Sequence, residues 1–80
     1  HDRPRRVCVV GLGSGVTLGA ALRHPVERVD VVEIAPEVVA ASAYFAAEHG
    51  QALSDPRTRL LVTDARTHVR LARAQYDVVI

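Results

Sequence analysis

The stretch Arg6–Thr17, RVCVVGLGSGVT, constrains the fold more than any other part of the chain. A short apolar run ends at three glycines, Gly11, Gly13 and Gly15, and a segment with helical spacing follows them. Glycine adopts positive φ and lets the backbone approach a ligand without a Cβ in the way. A glycine-rich turn between a buried strand and a helix is typical of a nucleotide-binding loop. The alternative is a tight strand-to-helix turn that holds no ligand.

The rest of the chain continues to alternate between strands and helices. The predicted strands are Arg6–Val10, Arg28–Ile34, Arg59–Thr63 and Tyr76–Ile80. The predicted helices are Val16–Arg23, a helix that Pro36 opens and Gly50 closes, and Thr67–Ala74. On the second helix, Val38, Ala41 and Phe45 form the expected apolar stripe. The sequence therefore predicts an α/β fold with right-handed crossovers and a parallel sheet of strand order 3-2-1-4. That order places a ligand crevice at the carboxyl ends of strands 1 and 4.

Length, charge and cysteine content limit the classes of protein to consider. Eighty residues make at most one domain, and because YDVVI is a predicted strand at the chain end, we expect residues 1–80 to be part of a larger domain. A net charge of +1 with scattered arginines does not favour a nucleic-acid binder. The single cysteine, Cys8, allows no intrachain disulfide and fits a reducing, cytoplasmic location. No apolar run approaches the roughly 18 residues of a membrane span, and the polar start predicts no signal peptide.

The glycine spacing and the acid at the end of strand 2 indicate the ligand. The dinucleotide pattern G-x-G-x-x-G requires glycine where this chain has Val16, so the pattern here is G-x-G-x-G. This variant is typical of enzymes that use S-adenosylmethionine, a donor without phosphate. Glu33 lies twenty positions after Gly13, where a carboxylate can accept both ribose hydroxyl protons. Ile34 can then pack on an adenine face. The alternatives are a solvent-facing glutamate and an ordinary core isoleucine.

The end of strand 3 carries a second acid, Asp64, followed by the small residue Ala65. At the same edge of the sheet, a carboxylate can accept a hydrogen bond from the adenine amino group, and a small neighbour leaves space for the base. The alternative role for Asp64 is to cap the following helix, for which aspartate is well suited. The two roles can coexist.

Four segments together resemble the spermidine synthase (polyamine aminopropyltransferase) family: VVGLGSGVT, ALRHPVERVDVVEIAPEVV, DPRTRLLVTDAR and YDVVI. The resemblance covers Arg6 to Ile80. It implies a Rossmann-like fold of the class I S-adenosylmethionine-dependent methyltransferase type, and a site for decarboxylated S-adenosylmethionine or the product methylthioadenosine. The residues expected to hold the nucleoside donor are Gly11, Leu12, Gly13, Ser14, Gly15, Glu33, Ile34, Asp64 and Ala65.

The chain departs from the family pattern at two positions. The family's loop usually reads G-G-G-D-G-G, and Ser14 stands where its aspartate falls. An aspartate there would repel the carboxylate of intact S-adenosylmethionine, so the serine removes that discrimination. Ala35 stands where an acid commonly follows Glu-Ile. The family's catalytic base follows strand 4, and Asp77 precedes that strand, so no residue of this chain is assigned as catalytic.

The resemblance implies a transferase that moves an aminopropyl group from decarboxylated S-adenosylmethionine to a polyamine. Two alternatives remain: methyl transfer from S-adenosylmethionine, and a non-catalytic module that binds a nucleoside or forms oligomers. We also expect a homo-oligomeric parent protein, no nucleic-acid partner and no membrane segment in this chain.

The other chemically notable residues do not predict a functional site. The four histidines share no metal-ligand spacing, so we expect no metal site. Cys8 is expected to be a small core residue. Ser14 is offset by one position from the G-x-S-x-G pattern of hydrolases. Arg66, Arg70 and Arg73 recur at helical spacing and are expected to form a solvated face.

Overall fold

The computed structural model of the chain describes residues 5–45 and 50–80. Within these residues, strands and α-helices alternate along the chain. Their order is β1 (Arg6–Val10), α1 (Val16–Leu22), β2 (Arg28–Glu33), α2 (Pro36–Ser42), β3 (Thr58–Val62), α3 (Ala65–Ala72) and β4 (Val78–Val79). Short 3-10 turns occupy Ala43–Phe45, Ala52–Ser54 and Arg73–Gln75.

The four strands form one parallel sheet in the order β3-β2-β1-β4. Val29 of β2 lies opposite Val7 of β1 on one side and Thr58 of β3 on the other, while Val7 also pairs with Val78 of β4. Both the α/β class and the strand order predicted from the sequence are confirmed. Because all four strands are parallel, their carboxyl ends meet at one edge of the sheet.

The main hydrophobic core lies between the sheet and α1. Leu18 of α1 is fully buried and packs with a cluster of buried apolar side chains from β1 and β2. The sheet contributes Val7, Val9, Val29 and Val31 to this cluster. Burying a side chain the size of Leu18 stabilises a fold by about 1.5–3 kcal/mol. The valines recur at every second position, so they all lie on one face of the sheet.

The opposite face of the sheet carries α3. Cys8 and Asp30 alternate with the core valines and therefore face away from α1. Tyr76 donates a hydrogen bond to Asp30, and His68 of α3 contacts the same Tyr76 hydroxyl. The helix after β3 thus crosses back over the second face, which is the crossover that the order β3-β2-β1-β4 requires.

The turn before β3 is fastened to the end of α1 by one arginine. Arg57 donates to the carbonyl oxygens of Leu22 at 2.7 Å and His24 at 3.2 Å. Its guanidinium also forms an ion pair with Asp55 at 2.9 Å. The last carbonyls of a helix have no partner within the helix, and a basic side chain supplies one. The segment Asp55-Pro56-Arg57 therefore caps the end of α1.

Several predicted boundaries are corrected by the structure. Helix α3 runs Ala65–Ala72 rather than Thr67–Ala74, because Asp64 caps it and the helix therefore starts two residues earlier than the apolar spacing suggested. Strand β3 runs Thr58–Val62, one residue earlier than predicted. Strands β2 and β4 are shorter than predicted, although Ile80 still donates to the Cys8 carbonyl at 2.8 Å. Helix α1 ends one residue early, at Leu22.

The second helix differs from the prediction within the described residues, where Val38 of the predicted stripe is half-buried and packs against the core. Regular α-helix ends at Ser42 and tightens into the 3-10 turn that follows, so the 3.6-residue spacing is lost. Ser42 is the buried residue, with its hydroxyl donating to the Val39 carbonyl at 2.7 Å, whereas Ala41 and Phe45 are exposed. The predicted continuation to Gly50 crosses residues 46–49, which lie outside the described residues.

Candidate functional site

A cleft of about 420 Å³ opens at the carboxyl ends of the first three strands. Its lining residues are Val10, Gly11, Val32, Glu33, Ile34, Asp64, Ala65 and Arg66. Five of the nine sequence-predicted site residues therefore meet at one place, although they come from three separate parts of the chain. The prediction placed the crevice at the carboxyl ends of strands 1 and 4; among the described residues, the cleft lining comes from the ends of β1 and β2 and from the start of α3, and β4 contributes none of it.

The glycine-rich loop owes its shape to positive backbone angles. Gly11 has φ of 85° and Gly13 has φ of 54°, and a Cβ at either position would meet no heavy atom within 4 Å. The requirement for glycine is therefore conformational rather than steric at these two positions. The amide of Gly15 donates to the Leu12 carbonyl at 2.9 Å, which closes the loop, and α1 starts directly afterwards.

Of this loop, only Gly11 lines the cleft. Leu12 is 3% exposed and its side chain belongs to the hydrophobic core, so it anchors the loop. Gly13, Ser14 and Gly15 complete the turn to α1 and lie outside the cleft lining. Ser14 is half-buried, beside rather than within the cleft wall.

Glu33 connects the loop to the end of β2. Its Oε1 accepts from the Leu12 amide at 2.9 Å, and its Oε2 accepts from the Ala35 amide at 3.0 Å. The hydrogen bonds from Ala35 and then Leu12 hold the pKa of this carboxyl below its usual range, so it is ionised at neutral pH. The amides of Ile34 and Gly13 act in the same direction, and Glu33 lines the cleft as a group that can only accept hydrogen bonds. The expected solvent-facing alternative is wrong, because Glu33 is half-buried and bound by two amides.

Ile34 follows Glu33 on the cleft wall and is 66% exposed. An ordinary core isoleucine, the alternative considered for this position, would be buried. A large apolar side chain that is exposed on the wall of a cleft provides an apolar contact surface for a ligand. Ala35 stands at the start of α2, and its amide is occupied by Glu33.

Asp64 and Ala65 form the wall opposite to the glycine loop. Asp64 is the N-cap of α3, and its Oδ1 accepts from the Thr67 amide at 3.1 Å, so the capping role expected as an alternative is confirmed. The second carboxylate oxygen keeps its acceptor capacity for a ligand. Ala65, at the first position of α3, is half-buried and adds little bulk to the wall.

The sequence reasoning missed Arg66 as a cleft residue. It was grouped with Arg70 and Arg73 as part of a solvated helix face, and all three are indeed exposed. Because α3 starts two residues earlier than predicted, Arg66 lies in the first turn, at the mouth of the cleft. Its place directly after Asp64-Ala65 was the available signal.

The remaining candidates lie away from the cleft. Cys8 is fully buried, and burial raises the pKa of its thiol, which fits a core residue. Asp77 accepts from the amides of Arg5 and Arg6 at 2.7 and 2.9 Å, at the amino ends of the strands. Within residues 5–45 and 50–80, no three His, Cys, Asp or Glu side chains converge into a metal site. In the same part of the chain, no helix has the length and apolar character needed to cross a membrane.

Comparison with known proteins gives a consistent result. Residues 1–80 match the family model of the spermine/spermidine synthase domain. Among curated proteins, a polyamine aminopropyltransferase of Thermoanaerobacter sp. (strain X514) is 38% identical over 81 residues, covering all of this chain and 29% of that protein. Putrescine N-methyltransferase 2 of Nicotiana tabacum is also 38% identical, over 79 residues that cover 96% of this chain and 22% of that protein.

Solved structures show the same relationship. The crystal structure of a spermidine synthase from Thermotoga maritima matches with a TM-score of 0.90 and 28% identity, covering all of this chain and 28% of that one. A spermidine synthase in complex with the transition state analogue AdoDATO matches with the same values. The likeness confirms the Rossmann-like fold expected from the sequence. The chain spans less than a third of the length of the relatives it matches.

Proposed function

The chain belongs to the spermine/spermidine synthase family, and we therefore propose that it forms the nucleoside half of an aminopropyltransferase site. The proposed donor is decarboxylated S-adenosylmethionine, and the proposed acceptor is the amine of a polyamine. The donor occupies the cleft at the carboxyl ends of β1, β2 and β3. The relatives named polyamine aminopropyltransferase support this assignment.

The observation that carries the proposal is the state of Glu33. It is an ionised carboxylate on the lining of the cleft, fixed by backbone amides that include those of Leu12 and Ala35. Two adjacent acceptors suit the two hydroxyl groups of a ribose, which donate as a pair. Because the amides hold the carboxylate in place beforehand, ribose binding requires little further ordering of the side chain.

The two side walls suit the adenine ring. Ile34 offers an exposed apolar surface on which the ring can lie. Asp64 has an oxygen beyond the one that caps α3, and this oxygen can accept from the adenine amino group. Ala65 leaves room for the ring between them. The proposed nucleoside residues thus provide one contact for each part of an adenosine.

The proposed reaction is a single displacement. The lone pair of a neutral amine attacks the methylene carbon beside the donor's sulfonium, forming the new C–N bond as the C–S bond breaks. The bonding pair goes to sulfur, which leaves as the neutral thioether methylthioadenosine, and the new secondary ammonium loses one proton. Since the donor carries its own activating charge, the protein's main contribution is to position the reactants. We assign the proton acceptor to none of the described residues.

Methyl transfer from intact S-adenosylmethionine is the second candidate. The relative named putrescine N-methyltransferase 2 favours it, because its identity to this chain equals that of the aminopropyltransferase. Ser14 favours it too. A neutral residue at that position neither repels the carboxylate of intact S-adenosylmethionine nor attracts the cationic end of the decarboxylated donor.

Calorimetric titration with S-adenosylmethionine, its decarboxylated form and methylthioadenosine tests the proposal, together with mass analysis of putrescine incubated with each donor. The binding variant is Glu33→Gln, and Glu27→Gln makes the same change at an exposed glutamate at the other end of the sheet. We expect binding that Glu33→Gln weakens and Glu27→Gln leaves unchanged, with an aminopropyl group added to putrescine. Addition of a methyl group instead would support the second candidate, methyl transfer, and would contradict aminopropyl transfer. Absence of binding by all three ligands would overturn both.

A further inference from the structure

A buried carboxylate lies in the middle of β2, below the cleft and outside its lining. Asp30 is 1% exposed, and Arg59 of β3 donates to both of its oxygens, at 3.1 Å from Nε and 2.8 Å from Nη2. The hydroxyl of Tyr76 donates to Oδ2 at 2.7 Å, and Arg28 lies 3.5 Å from Oδ1. Burial raises the pKa of Asp30, but the hydrogen bonds from Arg59 and Tyr76 and the charges of both arginines outweigh it, so the carboxyl is ionised.

The contacts of Asp30 extend to α3 through Tyr76. The Nε2 atom of His68 lies 2.6 Å from the Tyr76 hydroxyl oxygen, and the two rings are 5.9 Å apart between centroids. A phenol has one proton, and Tyr76 gives it to Asp30, which as a carboxylate can only accept. The phenol oxygen must therefore accept from His68, so Nε2 carries a proton. We call this series of hydrogen bonds, from His68 to Tyr76 to Asp30, the α3 anchor.

The α3 anchor matters because the apolar contacts of this helix are limited. Within α3, whose residues are all described, none is fully buried. Val69 and Ala72 are half-buried, and Leu71 is 79% exposed. Below the helix, the second face of the sheet presents Cys8 and Asp30 next to the buried Val32, so polar and apolar side chains alternate along it. Hydrogen bonds are directional and apolar contacts are not, so the anchor is the contact that fixes where α3 lies on the sheet.

The first turn of α3 is one wall of the cleft. The amide of His68 donates to the Asp64 carbonyl at 3.0 Å, and the amide of Thr67 donates to the Asp64 side chain at 3.1 Å. Asp64, Ala65 and Arg66 line the cleft. A displacement of His68 therefore moves Asp64 and Ala65 with it, since one helical turn joins them rigidly.

We propose that Tyr76, held between His68 and Asp30, is a positioning residue that sets the Asp64-Ala65 wall of the cleft for nucleoside binding. The proposal rests on the proposed function for its ligand and on the α3 anchor for its geometry. Tyr76 itself lies outside the cleft lining, so its effect on the ligand passes through α3.

The test compares Tyr76→Phe, which removes one hydroxyl oxygen, with Tyr44→Phe, which removes the same atom from a side chain that is 88% exposed. Loss of these hydrogen bonds corresponds to about five- to tenfold weaker binding. We expect Tyr76→Phe to weaken the binding of S-adenosylmethionine and of its decarboxylated form by this factor. We expect the preference between the two donors to stay unchanged. Ser14, the residue that is proposed to affect this preference, lies in the loop after β1 and not in α3. If the wild type binds either donor and Tyr76→Phe binds it with the same affinity, the proposal is overturned.

A ligand-free measurement keeps the proposal separable from the proposed function. We expect Tyr76→Phe to speed hydrogen exchange at the Thr67 and His68 amides while the Val31 amide in the core stays protected. Nitrogen-15 NMR of the neutral His68 ring is expected to show the Nε2–H tautomer in the wild type and a mixture of tautomers in the variant. If the wild type binds no nucleoside, the proposed function fails. Hydrogen exchange and the His68 tautomer still test the α3 anchor in that case. Unchanged exchange and tautomer would overturn it.

Substitution of His68 provides a second, conservative pair of variants. His68→Gln keeps an N–H that can donate to the Tyr76 oxygen, and His68→Ala does not. We expect slow exchange at the Thr67 amide to be retained in His68→Gln and lost in His68→Ala. Equal exchange in the two variants would show that the donor is irrelevant and would overturn the proposal even if Tyr76→Phe fails to fold.

Discussion

The Oε1 atom of Glu33 accepts a hydrogen bond from the amide of Leu12 at 2.9 Å, which joins the acid of β2 to the glycine-rich loop of β1. Leu12 buries its side chain in the core, so the bond ties a cleft residue to a fixed point of the fold. The acid proposed to hold the ribose therefore also holds the loop. As a consequence, replacing Glu33 by alanine changes the shape of the site and its chemistry together.

The first prediction separates these two roles of Glu33 by its effect on stability. Glu33→Ala leaves the amides of Leu12 and Ala35 without their acceptor, which lowers the free energy of unfolding by about 1–3 kcal/mol. Glu33→Gln keeps one acceptor oxygen and is expected to lose less than the alanine variant. Urea unfolding monitored by circular dichroism measures both. Equal losses in the two variants would mean that the amides find other partners and that the loop does not depend on Glu33.

The second prediction concerns acid pH. The pKa of Glu33 is lower in the folded chain than in the unfolded chain, because the amides of Ala35 and Leu12 bind its ionised form. Its contribution to stability is therefore fully present above the unfolded value of about 4.3 and is lost as pH falls through the lower folded value. We expect the stability difference between wild type and Glu33→Gln to be constant near pH 7 and to shrink below pH 4. A difference that stays constant in acid would contradict the assigned hydrogen bonds.

The sequence predicts the fold better than it predicts the details of the candidate site. Strand-helix alternation and apolar strands predicted the parallel sheet and its order, because right-handed crossovers leave few alternatives. Gly11, Glu33 and Asp64 could be placed at one edge because Gly11 and Asp64 directly follow predicted strands and Glu33 lies at the end of one. The second helix was misjudged because Ser42 has the size to be buried and a hydroxyl that bonds back to Val39, which an apolar pattern does not detect.

The polar contacts between distant residues could not be read from the sequence. Asp30 interrupts an otherwise apolar strand, which is a visible signal, but its partners Arg59 and Tyr76 lie 29 and 46 positions away. Which of ten arginines pairs with it depends on strand register, which places Asp30 opposite Arg59. The bond from Leu12 to Glu33 depends likewise on the exact path of the loop. Local sequence patterns specify elements, whereas these bonds arise only once the elements are packed.

The third prediction tests the conformational requirement for glycine in the loop. Gly11 has φ of 85°, and a Cβ there would meet no neighbouring atom, so Gly11→Ala is expected to cost about 1–2 kcal/mol from backbone strain alone. Gly13 has φ of 54°, in the left-handed region that asparagine tolerates, so Gly13→Asn is expected to cost less. Thermal unfolding of both variants checks the ranking. A larger loss in Gly13→Asn would indicate that contacts rather than backbone angles decide the loop.

The fourth prediction separates the two roles of Asp64. Asparagine caps a helix about as well as aspartate, whereas alanine does not, so Asp64→Ala is expected to destabilise by about 1 kcal/mol and Asp64→Asn by little. If the carboxylate also accepts from an adenine amino group, both variants bind methylthioadenosine more weakly than the wild type. Unfolding and calorimetric titration on the same samples compare the two effects. Full affinity in Asp64→Asn would show that nucleoside binding, like helix capping, does not require the negative charge of Asp64.

The last prediction concerns the choice of donor at Ser14. This residue is half-buried in the loop after β1, and its backbone needs no positive φ, so aspartate can replace it without strain. A carboxylate at this position would repel the carboxylate of intact S-adenosylmethionine and attract the cationic amine of the decarboxylated form. An interaction of about 1–2 kcal/mol, reasonable for charges near the surface, changes the preference by roughly five- to thirtyfold.

Ser14→Asn is the matched control, because it has the shape of aspartate without the charge. We expect Ser14→Asp to shift the ratio of the two dissociation constants towards the decarboxylated donor, and Ser14→Asn to leave it unchanged. The shift should shrink at high salt, since screening weakens interactions between exposed charges. An equal change in both variants would attribute the effect to size. No change in either would place the variable end of the donor away from Ser14, and the preference would then have to depend on another part of the site.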